Sequence, residues 1–336
     1  MVFLAPLPTP NELVTAFPID ETLRQNVLHA RQRVQEALHG HGFLIIMGPC
    51  SLDGHEGALR YAELLCEAQK SLPSEWVIVM RAFFEKPRSL DGWKGYVHAS
   101  HPDELIGRVE ATRVLLRSLL NSGVALGSEL LQPALLPYVE DCLSWGCIGA
   151  RTCSSQIHRE LASAAPFPVG IKNDLTGDVK TALDSIWSAR HPQSTYQING
   201  DGRLCAAIAP GNADSHIILR GGFDGPNISP DELEVMTEGL EQRQIPTQFL
   251  IDCAHGNARK TSRGQLQILD RLPLEHPRFG GIMLESYLHE GRQLVQGDPT
   301  PGLSVTDPCL SWEQTLLALH SLADSWAAGS IQLNQS

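Results

Sequence analysis

The sequence predicts a closed (β/α)8 barrel, and three observations point to it. Short aliphatic runs recur eight times along 336 residues. Longer stretches with helix-like spacing separate them. The length exceeds the roughly 250 residues such a barrel needs by only an arm and an insertion. An open doubly wound sheet is the competing architecture, because it uses the same alternating units.

Before the first run lies an N-terminal arm, residues 1–40, expected to carry a helix and to serve assembly or regulation. The runs come at 43–47 (FLIIM), 76–80 (WVIVM), 124–128 (VALGS), 147–150 (CIGA), 168–171 (PVGI), 216–219 (HIIL), 248–251 (QFLI) and 280–284 (GGIML). Each is too apolar for a half-exposed strand and reads as buried on both faces, as parallel strands are. Helices are expected between them at 57–69, 103–120, 133–144, 154–164, 178–189, 230–243 and 263–272, with a last one after about 311. The barrel then spans 41–325, with a tail at 326–336. One interval, 194–209, reads instead as a β-hairpin inserted before the sixth strand. There TYQI and RLCAAIA flank the turn NGDG at 199–202.

Composition narrows the function classes. Hydrophobic residues at 42% supply a full core, so global disorder is excluded. The formal charge of −12 argues against nucleic acid or an anionic membrane as partner. A local cationic pocket for small anions remains compatible with it. The eight cysteines form no C-x-x-C pair, which fits reduced thiols and a cytoplasmic protein. The start MVFLAPLPTP has neither the basic region nor the long apolar stretch of a signal peptide, and no run is long enough to span a bilayer. P-loop, dinucleotide-fingerprint, serine-elbow and HExxH motifs are all missing.

The residues at and just past the strand ends carry the functional signal. Cys50 comes after the first strand, Arg81, Lys86 and Arg88 after the second, and Glu129 ends the third. Arg151, Lys172, Arg220 and His255 come after the fourth to seventh, and Glu285 ends the eighth. A barrel brings these ends to one face, where active sites are built. Six cations crowded there repel one another unless they bind an anion with more than one carboxylate or phosphate. Cys50, His255, Glu285 and the later Asp307 (SVTDP) combine a thiol, an imidazole and two carboxylates, a mixed donor set for a divalent ion such as Mn, Fe, Co or Zn. Taken singly, a buried cysteine or a hydrogen-bonded histidine is the plainer reading of each.

These segments together resemble one family, the class I 3-deoxy-D-arabino-heptulosonate 7-phosphate (DAHP) synthases of bacteria and yeast. The resemblance rests on GPCS (48–51), MRAFFEKPR (80–88), GWKG (92–95), SWGCIGART (144–152), SQIHRELAS (155–163), VGIKN (169–173), HIILRGG (216–222), IDCAHGN (251–257), GIMLES (281–286) and SVTDPCLSWE (304–313). It runs in family order from about residue 8 to 325 and implies a (β/α)8 barrel. The implied reaction is a metal-dependent condensation of phosphoenolpyruvate with erythrose 4-phosphate and water to give DAHP and phosphate, the first step toward aromatic amino acids. Cys50, His255, Glu285 and Asp307 would then hold the metal. Arg81, Lys86, Arg151, Lys172 and Arg220, with the backbone of Ala150, would hold phosphoenolpyruvate. Pro87, Arg88 and Ser89 would face the aldose phosphate. Lys86 stands first for proton transfer, with His255 and Glu129 behind it. A homodimer or homotetramer is implied as well.

The chain also departs from the family pattern. Asp174-Leu175-Thr176-Gly177 replaces the usual Gly-Thr-Asp-Gly after Asn173, Gln132 replaces an acid, and Ser89 replaces a threonine. The loop change leaves a second reading open, a relative in specialised metabolism with another aldehyde acceptor or without feedback control. A non-catalytic phosphoenolpyruvate sensor is the remaining alternative.

Overall fold

A computed structural model describes residues 4–88, 92–98, 102–294 and 299–333. Its strands are β1 (Phe43–Gly48), β2 (Trp76–Arg81), β3 (Ala125–Glu129), β4 (Trp145–Ile148), β5 (Val169–Lys172), β6 (Gln193–Ile198), β7 (Leu204–Ala209), β8 (His216–Leu219), β9 (Phe249–Asp252) and β10 (Phe279–Glu285). Eight of them close a parallel barrel in the order β1-β2-β3-β4-β5-β8-β9-β10, which returns to β1. The remaining two, β6 and β7, pair antiparallel as the expected hairpin, joined around Gly200 and Asp201. Every barrel strand is buried along essentially its whole length, which is why each appears as an uninterrupted apolar run rather than an alternating one.

The runs nevertheless sort into two faces. Leu44 and Ile46 of β1 point inward to meet Val77, Val79, Trp145, Ile218, Leu250 and Met283. Phe43, Ile45 and Met47 turn outward into the layer shared with the helices. Two helices precede the barrel: α1 (Pro10–Ala16), started by a Thr9–Glu12 capping box, and α2 (Glu21–Leu38), capped by Asp20. Val34 and, one helical turn further on, Ala37 and Leu38 carry α2 into the inward-facing cluster. The Arg33 guanidinium donates to the Trp76 carbonyl at 3.0 Å, and the Gln248 amide donates to the Leu38 carbonyl at 2.9 Å. The helix therefore closes the barrel at the end where the strands begin.

The outer ring comprises α3 (His55–Gln69), α4 (Pro102–Asn121), α5 (Gln156–Ala164), α6 (Lys180–Ala189), α7 (Pro230–Gln242), α8 (Ser262–Leu269) and α9 (Trp312–Leu333). One expected helix is replaced. Residues 133–144 form two short 3-10 turns, Pro133–Tyr138 and Glu140–Cys142, instead of an α-helix. Pro137 sits inside that stretch and has no N–H to continue an α-helical ladder. The final helix also runs through Leu333, across the boundary drawn at 325.

A polar pair lies within the barrel. The Trp145 indole N–H donates to His216 Nε2 at 3.3 Å, and His216 Nδ1 lies 2.9 Å from the Asp214 carbonyl. Both rings are fully buried. Indole is only a donor, so the imidazole has to be neutral, with its proton on Nδ1. Burial depresses its basicity to a pKa of about 4.

Candidate active site

Strand order decides which residues meet. In the barrel β10 lies beside β1, with Gly48 opposite Glu285 in register, and β2 flanks β1 on its other side. Cys50, Arg81 and Glu285 thus converge from neighbouring strand ends. The Arg81 guanidinium is fully buried and donates to Glu285 Oε1 at 3.0 Å and to the Pro49 carbonyl at 3.3 Å. It also packs over the Phe83 ring at 4.1 Å. Asp307 arrives from the segment between β10 and α9, which is tied back by bridges from Ser286 to Leu310 and from Gly291 to Cys309. The donor atoms of Cys50, Glu285 and Asp307 all lie within 4.8 Å of one another. His255 reaches this group from the side, with Nε2 3.5 Å from Glu285 Oε1.

Charge explains the state of this cluster. Burial, and then the neighbouring Glu285, push the Cys50 thiol above its ordinary range. The Asp307 amide and the Lys86 ammonium donate to its sulfur at 3.4 and 2.9 Å. Burial works against the charge of Lys86, yet Cys50 and Glu285 outweigh it and raise its pKa. Glu285 is likewise held low against burial by His255, Lys86 and Arg81. The residues fit a divalent ion on this chemistry. A sulfur, two carboxylates and an adjacent imidazole converge in a buried space, and their anionic forms need positive charge beside them.

Next to the cluster opens a cavity of about 940 Å³. Lys86, Arg88, Arg151, Lys172, Arg220, Arg259 and Lys260 line it, opposed by Glu129, Asp224 and Asp307, with Pro87, Ala150 and His255 between them. Arg151 lies close enough to Arg220 for their charges to oppose each other. Lys172 donates to Asp252 Oδ2 at 2.8 Å. Glu129 is buried beside Gly149, where a methyl group would collide with Oε1, and among the described residues that oxygen has no hydrogen-bond partner. Burial raises the Glu129 pKa despite the nearby Lys86, Lys172 and Arg81.

Of the residues expected from sequence, Lys86, Pro87, Arg88, Glu129, Ala150, Arg151, Lys172, Arg220, His255 and Asp307 therefore line one cavity. Arg81, Cys50 and Glu285 lie beneath it, where Arg81 turns its donors onto protein groups. Ser89 lies outside the described residues. Sequence reading missed Asp252, Arg259 and Lys260. Asp252 ends β9 as Glu129 ends β3, and that position was a usable signal. Arg259 and Lys260 carry φ of +49° and +57°, as His255 does at +51°, in a turn closed by the Lys260 amide on the His255 carbonyl at 2.8 Å. Such left-handed backbone in non-glycine residues stores strain and concentrates at functional sites.

Barrel and mouth together define an enzyme that handles small, multiply charged anions beside a metal-competent cluster. Residues 27–320 match the model of the DAHP synthetase I family, and the chain belongs to that family. The Phe-sensitive phospho-2-dehydro-3-deoxyheptonate aldolase of Escherichia coli strain K12 is 37% identical over 327 residues, covering 94% of this chain and 93% of that one. The tyrosine-inhibited aldolase of the same name from Schizosaccharomyces pombe is 36% identical, covering 92% and 87%. The structure of the phospho-2-dehydro-3-deoxyheptonate aldolase from Francisella tularensis SCHU S4 superimposes with a TM-score of 0.94 at 32% identity, covering 97% of this chain and 98% of that one.

Proposed function

We infer that this chain condenses phosphoenolpyruvate with erythrose 4-phosphate and water, releasing DAHP and phosphate at the entry to aromatic amino acid synthesis. The observation that carries the reading is the juxtaposition of the cation-lined cavity with the Cys50–Glu285–Asp307 cluster in a barrel of this family.

The residues divide the work. Lys172, Arg151 and Arg220 offer a cradle for a substrate bearing carboxylate and phosphate on three carbons, with Lys86 at its inner edge. Carbon 3 of that substrate attacks the aldehyde carbon, water adds at carbon 2, and the adduct loses phosphate by C–O cleavage. Lys86 is held as an ammonium and suits charge stabilisation or proton delivery. Glu129, its pKa raised by burial and with no hydrogen-bond partner on Oε1 among the described residues, suits a carboxyl that takes up and returns a proton. Arg88 and Pro87 line the cavity and are proposed to face the aldose phosphate, with Ser89 next to them in sequence. Arg81 is proposed to act from below, holding Glu285 in place. Cys50, His255, Glu285 and Asp307 would hold Mn, Fe, Co or Zn, which when bound supplies Lewis-acid polarisation of the aldehyde oxygen.

Leu175 on the cavity wall and Phe223, 76% exposed at its rim, support the second reading of a different aldehyde acceptor. The apolar outer face of the hairpin, with Tyr196, Leu204 and Ile208 exposed, supports a homo-oligomer, which light scattering would size. Eight free cysteines support a cytoplasmic setting. Among the described residues no helix is long and apolar enough to cross a membrane.

The test is a chelator-stripped preparation assayed for DAHP and phosphate, with each metal added back singly. Activity is expected to vanish on stripping and return with at least one of the four ions. Full activity in the stripped protein, or none with any ion, refutes the reading. The same assay with other aldose phosphates in competition separates the two acceptors.

A further inference from the structure

Asp252 is a fully buried carboxylate at the end of β9 that takes no part in lining the cavity. Four neighbours fix it. Its Oδ1 accepts the Ala254 amide at 3.0 Å, and its own carbonyl accepts the Asn257 side-chain amide at 2.8 Å. Its Oδ2 faces two partners from different elements: Lys172 Nζ at 2.8 Å, from β5, and His255 Nδ1 at 2.8 Å, from the loop after β9. The lysine contact is an aligned hydrogen bond, whereas the imidazole contact is close but off the hydrogen-bond line.

A buried carboxylate with one cationic partner is ordinarily a structural pair. Here the second partner changes the reading. His255 turns Nδ1 to Asp252 and Nε2 toward Glu285, so one ring joins Asp252 to the donor cluster. Lys172 joins the same oxygen to the cation-lined wall. His255 also sits at a left-handed φ of +51°, a conformation that needs support from its surroundings. A carboxylate on Nδ1 fixes ring orientation and leaves the Nε2 lone pair free for a metal.

We propose that Asp252 is a positioning residue that sets two subsites with one oxygen, aiming His255 at the metal cluster and Lys172 at the anionic substrate. The proposal rests on the function inferred above and extends it to a residue that touches neither ligand. Its consequence is that the two subsites are coupled: losing the Asp252 charge weakens both ligands together.

The experiment measures two affinities without turnover, those of Mn²⁺ alone by chelator competition and of phosphoenolpyruvate alone by calorimetry. Wild type is compared with Asp252→Asn, which keeps the size and removes the charge. Circular dichroism confirms the fold. Metal affinity is expected to fall about 10- to 100-fold, as for lost carboxylate partners of ligating histidines. Phosphoenolpyruvate affinity is expected to fall at least tenfold alongside it. A folded Asp252→Asn protein within twofold of wild type in either affinity overturns the proposal. If Asp252→Asn does not fold, Asp252→Glu is read instead, since it keeps the charge but shifts the oxygen. Both affinities should then move in the same direction, and a change in one alone overturns the proposal. A wild-type protein that binds neither ligand would instead sink the inferred function.

Discussion

The His216–Trp145 pair makes stability depend on pH in a way that can be worked from its geometry. The imidazole accepts from an indole N–H on one side and faces a carbonyl on the other. A second ring proton would point Nε2–H at the indole N–H, in a place closed to bulk solvent. Its pKa is about 4 in the folded chain against 6.5 as a free side chain. The unfolded chain therefore binds a proton that the folded chain refuses, so the contribution is intact above about pH 6.5 and is lost as pH falls toward 4. At about 1.36 kcal/mol per unit, the loss reaches about 2 kcal/mol at pH 5 and about 3 kcal/mol at pH 4. Urea unfolding of wild type and His216→Asn at pH 7.5 and pH 5 is the assay. The variant is less stable at pH 7.5 but lacks this component of the acid sensitivity, so the gap between the two proteins narrows by about 2 kcal/mol at pH 5. An unchanged gap would refute the neutral, buried imidazole.

Two further outcomes concern the mouth of the barrel. Lys86→Met removes the ammonium beside Cys50 and Glu285. It should abolish DAHP formation while the circular dichroism spectrum is retained, and near-normal turnover would rule out a direct role. Gly149→Ala places a methyl group against Glu129 Oε1 and forces that carboxylate aside. We expect kcat to fall on the order of 100-fold, the scale of one positioned acid–base group, with thermal stability lowered by far less than a core cavity would cost. A kcat within threefold of wild type would show that Glu129 takes no part in proton transfer.

The barrel was legible because its strands are buried on both sides and its helices fill the intervals, so length and apolarity alone marked the units. The mouth was legible for a related reason: Cys50, Glu129, Lys172 and Glu285 stand at or just beyond strand ends, where a charge interrupts an apolar run. Two kinds of feature escaped. The stretch 133–144 has helical spacing, but the internal Pro137 breaks the α-helical ladder and leaves 3-10 turns, a backbone constraint that hydrophobic spacing does not register. Asp252 escaped because its meaning lies in partners 80 residues upstream and three residues downstream that the fold brings onto one oxygen. The reach of Arg259 and Lys260 into the cavity depends on a left-handed turn whose positive-φ positions, His255, Arg259 and Lys260, are not glycines and so do not announce it. The burial of Arg81 depended on which strands are neighbours: β10 closing against β1 places Glu285 over the guanidinium.

The donor cluster draws Cys50 from just past the first barrel strand and Asp307 from a segment beyond the last. A ribosome therefore adds 257 residues between the first donor of the cluster and the last. On the proposed metal role, the donor set is complete only after ring closure, and a nascent chain stalled short of residue 307 would offer a scavenging ion an incomplete cage.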